Sequence, residues 1–131
     1  MKNLDALENC TQLIELDVSD ALLSHLSFLE NKIKLQKLNI DGTKVTDLTP
    51  LSSCTQLQHL NISETAITDL APLASCPNLS SLILSKTKIK NLTALHELKK
   101  LRSVTYSLNI PNEEIEILKK LLPECSFKID N

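Results

Sequence analysis

The apolar residues of this chain recur in a fixed pattern. Leu-x-x-Leu-x-(Leu/Ile/Val) occurs at Leu13, Leu16 and Val18, at Leu35, Leu38 and Ile40, at Leu57, Leu60 and Ile62, and at Leu79, Leu82 and Leu84. A weaker copy runs through Leu101, Val104 and Tyr106, and successive copies begin 22 residues apart. Within each copy the last two apolar positions alternate with polar ones, the period of a short strand with one buried face. After a turn, Val45, Ile67 and Ile89 point back inward. Leucines three apart follow: Leu48 and Leu51, Leu70 and Leu73, Leu92 and Leu95. That spacing predicts a 3₁₀ or short helical turn with one buried stripe. Asp47, Asp69 and Asn91 stand just before it as acceptors for its free amides. Pro50 and Pro72 fall in its first turn, where a missing N–H does little harm.

A unit of strand, turn and return leg cannot bury its apolar side alone. Stacked copies bury it together, with strands about 4.8 Å apart in a parallel sheet. The copies are close: residues 43–51 (TKVTDLTPL) and 65–73 (TAITDLAPL) are near duplicates, with a looser third at 87–95.

These repeats resemble the leucine-rich repeats of the 22-residue class found in bacterial internalins and in a eukaryotic phosphatase-regulatory subunit. The resemblance covers residues 3–110. It implies an α/β repeat fold, a leucine-rich-repeat solenoid with a curved parallel sheet, 3₁₀ or short helical return legs and a C-terminal capping helix. A single domain then spans 1–131, with a partial first repeat in 1–12, repeats of 22 in 13–110 and a cap in 111–131. The resemblance implies a binding scaffold and says little of biochemistry, since the shared residues are all structural. Such repeats carry an asparagine after the strand whose amide bonds neighbouring backbone. Here that column holds Ala21, Thr43, Thr65, Thr87 and Asn109, so a threonine ladder is expected in its place.

The two ends differ. Residues 3–13 align with 47–57, so the chain opens in mid-repeat without a dedicated cap. That is expected of a longer repeat protein, or of a first strand whose edge another chain covers. At the other end Pro111 precedes residues 112–122, with acids in the first turn and lysines in the last, which predicts a helix. Ile115, Leu118 and Leu122 would form its buried face, closing the apolar column, and Leu122, Cys125 and Phe127 predict a degenerate final strand.

Composition narrows the function. Aromatic residues make up 2% of the 131, so the core must be aliphatic and thinly layered. With Gly42 as its single glycine, the chain holds no glycine-rich phosphate loop. The net charge of −2 is uneven: residues 1–65 carry 5 Lys/Arg against 9 Asp/Glu, and residues 66–131 carry 9 against 7. Such a balance argues against nucleic acid, which calls for a basic face with stacking aromatics. No stretch resembles a signal peptide or a membrane span, and the cysteines show no CxxC spacing. A cytoplasmic protein with no membrane partner is the expectation.

Candidate chemistry is sparse. Cys10, Cys54 and Cys76 share a repeat position with Lys32 and Leu98; they are expected as small buried apolar residues without a disulfide. His25 and His96 belong to outer return legs and His59 points outward from a strand, with no metal-ligand spacing among them. No serine has a histidine and an acid placed to activate it, and Glu113 with Glu114 serves the helix dipole. No enzyme activity, cofactor or metal is expected.

What remains is the outward, concave face of the sheet. Its columns are Glu15, Lys37, His59, Ser81, Ser103 and Asp17, Asn39, Asn61, Ile83, Thr105; Ser19, Asp41, Ser63, Ser85 and Asp20, Gly42, Glu64, Lys86 follow beyond the strands. The residues expected to meet a protein partner are Glu15, Asp17, Lys37, Asn39, Asp41, His59, Asn61, Glu64, Ile83 and Lys86. Ile83 is apolar where the pattern points to solvent. A polar, salt-sensitive contact on the acidic half is expected, and alanine at Asp17, Asn39 and Asn61 together should weaken it without unfolding. Two alternatives stand beside it: self-association through the N-terminal edge, and a small intracellular inhibitor covering a basic active site.

Overall fold

A computed structural model describes residues 10–130. Six strands form one parallel sheet in sequence order: β1 (Glu15–Asp17), β2 (Lys37–Asn39), β3 (His59–Asn61), β4 (Ser81–Ile83), β5 (Ser103–Tyr106) and β6 (Ser126–Ile129). Between β1 and β5 the register follows the 22-residue period: Leu16 faces Leu38, then Leu60, Leu82 and Val104. The return legs carry the expected 3₁₀ turns, at Ser27–Leu29, Thr49–Ser53, Ala71–Ser75 and Thr93–Leu95. The helix α1 (Asn112–Leu121) stands in the fifth return. We number each strand and the return leg after it as one layer.

The core is a continuous column of aliphatic side chains between sheet and return legs. Val45, Ile67, Ile89 and the leucine pairs of the return turns are between 0% and 2% exposed. The first layer keeps the scheme with Leu23, Leu26 and Leu29. Three of the four 3₁₀ turns are opened from two residues ahead: Asp47 Oδ1 accepts the amide of Thr49, Asp69 Oδ1 that of Ala71, and Asn91 Oδ1 that of Thr93, at 2.8–2.9 Å. These bonds stabilise the ionised form of Asp47 and lower its pKa, with the Thr49 hydroxyl as the first contributor and its amide the second.

The threonine column behaves differently from the expected ladder. Thr43, Thr65 and Thr87 each turn a hydroxyl back to the carbonyl three residues earlier, at 2.7–2.9 Å, within their own layer. Only Asn109 reaches across, its amide donating to Thr87 O at 2.6 Å. A hydroxyl on a short β-branched stem is too near its own backbone to bridge two layers; an amide is long enough.

Cys10 is exposed rather than buried as expected, whereas Cys54 and Cys76 are buried and link layers. Cys54 Sγ donates to Leu29 O at 3.6 Å and Cys76 Sγ to Leu51 O at 3.5 Å, each toward the preceding return turn. Burial pushes the Cys54 thiol up to about 11 and Cys76 up to about 12, so both stay protonated donors near neutral pH. Lys32, in the same column, is 3% exposed.

Both ends depart from the middle. The partial first repeat expected in 1–12 lies mostly outside the described residues; within them β1 pairs with β2 alone. In α1 the buried residues are Ile115 and Leu118, with Leu122 just beyond, as the spacing predicts. The final strand is displaced from its expected position. Phe127 faces Val104 and Ile129 faces Tyr106, a register of 23 residues, so Phe127 and Ile129 take the places expected of Cys125 and Phe127. Leu122 meanwhile accepts the amide of Cys125, as Cys76 accepts that of Leu79. A full helix in place of a 3₁₀ turn changes the chain length needed to return to the sheet.

Candidate functional site

Alternation along each three-residue strand turns its middle residue into the core and its two outer ones to the open face of the sheet. The parallel register aligns those outer residues in two columns: Glu15, Lys37, His59, Ser81, Ser103, and Asp17, Asn39, Asn61, Ile83, Thr105. In the first column Lys37 meets Glu15 at 3.9 Å, with both side chains more than half exposed. Such a pair is weak in water and screened by salt. The face holds a shallow hollow of about 510 Å³, bounded by Glu15, Asp17, Lys37, Asn39, His59, Asn61 and Ile83. Seven of the ten residues expected to meet a partner thus come together there.

The second column has structural work that the sequence pattern did not reveal. Asp17 Oδ1 accepts the amide of Ser19 at 2.9 Å, Asn39 Oδ1 that of Asp41 at 2.9 Å, and Asn61 Oδ1 that of Ser63 at 3.0 Å. Each is a turn in which the side chain holds the backbone two residues on. The spacing Asx-x-(Ser/Asp) was visible in the sequence and is the signal that could have found it. For Asp17 the Ser19 amide, then the Ser19 hydroxyl, hold the carboxyl below its ordinary range.

Those turns lead into a column of left-handed residues. Asp20, Gly42, Glu64 and Lys86 have φ of 59°, 76°, 55° and 56°. In that conformation the amide of each crosses to the next layer: Asp20 N to Asp41 O, Gly42 N to Ser63 O, Glu64 N to Ser85 O, and Lys86 N to Ser107 Oγ, at 2.7–3.0 Å. Three of the four hold this geometry without glycine, at a cost of about 1–2 kcal/mol each. At Gly42 a Cβ would also meet Asp20 Oδ1, the end of an exposed side chain that would have to turn aside.

This crossing gathers negative charge. Asp41 is half-buried, and its carboxyl is held above its ordinary range by burial first, then by the carboxylates of Glu64 and Asp20. Two neighbours expected at the surface are not there: Ser63 is 6% and Ser85 2% exposed, and the Oγ of each is enclosed without a hydrogen-bond partner. The left-handed residue that follows folds the backbone over them.

Elsewhere the surface offers less. His25 is exposed, with Nδ1 3.0 Å from Ser27 Oγ, whereas His96, expected in solvent, is half-buried with Nε2 enclosed. Among the described residues no group of three His, Cys, Asp or Glu side chains could hold a metal ion. No helix among them is long and apolar enough to cross a membrane. A hollow of about 460 Å³ lies between the third and fourth return turns, but its floor is Ala71, Ala74 and Ala94. Its rim acceptors, Asp69 and Asn91, already hold the turn amides.

Comparison with known proteins agrees with this architecture. A family model described as leucine-rich repeats in two copies matches residues 33–75. No curated protein sequence matches the chain significantly. Among solved structures, internalin C2 of Listeria monocytogenes is 26% identical and superposes with a TM-score of 0.90 over 99% of this chain. A leucine-rich-repeat protein of Leptospira interrogans is 22% identical, with a TM-score of 0.86 over 100% of this chain. The plant peptide hormone receptor RGFR1, solved in complex with RGF2, is 17% identical, with a TM-score of 0.72 over 94% of this chain. The chain spans 57% of the internalin, 34% of the Leptospira protein and 21% of the plant receptor. The matched repeats and the shared coil of strand and return turn show that this chain has the fold of a leucine-rich-repeat solenoid.

Proposed function

We propose that the chain is a protein-interaction module that holds its partner against the open face of the sheet, through a polar contact centred on the acidic first three layers. One observation carries this reading. The core columns are nearly uniform from layer to layer, while the face column changes from Glu15 to Lys37, His59, Ser81 and Ser103. Stacking fixes the first set of residues and leaves the second free to suit a partner. A coil of the same kind in the plant receptor occurs in complex with RGF2, which supports a protein or peptide partner over nucleic acid or a membrane. Nothing in the site supports an enzyme reading.

The triple alanine substitution at Asp17, Asn39 and Asn61 is a poor test, because it also removes three turn bonds. A photo-crosslinking residue at His59, compared with one at Ala74 on the return side, separates contact from folding. The expected result is a partner crosslinked from position 59 and not from 74, with yield falling as salt is raised from 50 to 500 mM. Crosslinking from position 74 alone would move the site off this face.

Self-association through the N-terminal edge is a second reading, favoured by Ile14 and Leu22, exposed by 46% and 76% just before and after β1 in the chain. Light scattering across a hundredfold concentration range tests it; a constant monomer mass removes it.

A further inference from the structure

We propose that Ile83 is the apolar anchor of the open face, and that its partner is a polypeptide segment carrying an aliphatic or aromatic side chain beside a lysine or arginine. The proposal rests on the open-face reading above and names the chemistry of what binds there. Five strands align one position, as Asp17, Asn39, Asn61, Ile83 and Thr105, and Ile83 is the apolar one. In the first three the side chain holds the amide two residues on. Isoleucine has no acceptor, so the amide of Ser85, in a residue only 2% exposed, lacks the side-chain bond its three equivalents have. Burial offsets part of that loss, but not all of the side chain is covered. Leu82 and Leu84, on either side, are fully enclosed, while Ile83 stands partly open on the wall of the hollow with His59 and Asn61. A position that gives up a local bond and still leaves apolar surface open on this face is where a functional demand is to be sought.

The surroundings define the partner. The first face column next to Ile83 holds His59 on one side and the small Ser81 and Ser103 on the other, which leave the isoleucine accessible from that side. The carboxylates of Glu64 and Asp41 belong to the turns one and two layers away, while Lys86 stands in the turn of Ile83's own layer, so the negative charge lies toward the first layers. An apolar contact beside a carboxylate pair matches an apolar side chain next to a cationic one, and an anchor ringed by polar groups is the usual form of a binding hot spot.

Ile83→Asn tests the assignment from two sides. Restoring the acceptor for Ser85 should raise Tm by about 3 °C. Phage-displayed random peptides selected on the full chain should share the apolar-basic pairing and bind Ile83→Asn at least tenfold more weakly. A lower Tm would make Ile83 a packing residue and overturn the proposal, as would peptides that bind the variant within twofold, or the failure of any peptide to be enriched. Should the asparagine variant not fold, Ile83→Thr, which copies Thr105 of the next strand, is held to the same affinity criterion. Peptides indifferent to Ile83 but weakened by His59→Ala or Glu64→Lys would overturn the anchor and leave the open face standing. Indifference to all three would overturn both.

Discussion

The middle layers and the end layers of this protein carry the same motif and receive different burial from it. Leu38, Leu60 and Leu82 are 3%, 2% and 0% exposed, while Leu16, the equivalent residue of β1, is only half-buried. At the far end Phe127 is half-buried and Ile129 is 48% exposed, although it faces the buried Tyr106. A leucine here is buried by what stands on both sides of its layer, and its own segment decides only which way it points. Stability in such a stack is a sum over interfaces between neighbours.

The largest expected effect breaks that comparison most directly. Leu60→Ala should cost about 2–5 kcal/mol, and Leu16→Ala about 1 kcal/mol, in denaturant melts of the two variants. Equal losses would mean that the end layer is as well packed as the middle. Next, Gly42→Ala should cost about 1–2 kcal/mol, combining left-handed strain with the Asp20 contact. The reverse substitution at the equivalent Glu64 should stabilise slightly, because that residue already bears the strain. Thr65→Val removes a hydroxyl bond to Ile62 O inside one layer and should cost about 1 kcal/mol. Combined with Thr43→Val in the adjacent layer, any departure of the thermal melt from the sum of the two losses reads the coupling between stacked layers, since the two bonds share no partner.

The smallest effect concerns two carboxyls with opposite signs. Asp47 has a lowered folded pKa, so its contribution is present above the unfolded pKa and lost as pH falls through the folded value. Asp41 has a raised folded pKa, so its ionisation weakens the fold as pH rises through that value. Asp41→Asn should therefore raise Tm at pH 7 and lose that advantage near pH 4, while Asp47→Asn should show the opposite trend. Parallel pH profiles would show that neither environment distinguishes the two groups.

Much of the fold was legible because stacking imposes a strict period on residue types. The strands, the inward Val45, Ile67 and Ile89, and the return-turn acceptors Asp47, Asp69 and Asn91 all follow from spacing alone. The candidate face was legible as columns, but the duties within it were not. Asp17, Asn39 and Asn61 were assigned to a partner, whereas each also holds its own turn. Alternation carried two residues past the end of a strand points Ser63 and Ser85 to solvent, and both are buried. Left-handed residues in the next position break that alternation, and Asp20, Glu64 and Lys86 do not advertise the conformation as Gly42 does. The shifted register of β6 was hidden for a similar reason, since periodicity says nothing once a helix replaces the repeating turn.

The sequential strand order also governs how the molecule comes apart. Every strand pairs only with the layer before and the layer after, across 22 or 23 residues of chain. No contact in the sheet ties one end to the other, so opening proceeds as fraying, layer by layer, with amide exchange fastest at β1 and β6 and slowest near β3. A partner lying across several strands would join layers that the chain leaves joined only in pairs. Its binding would then be registered at the far layers as slower exchange, without any change of shape.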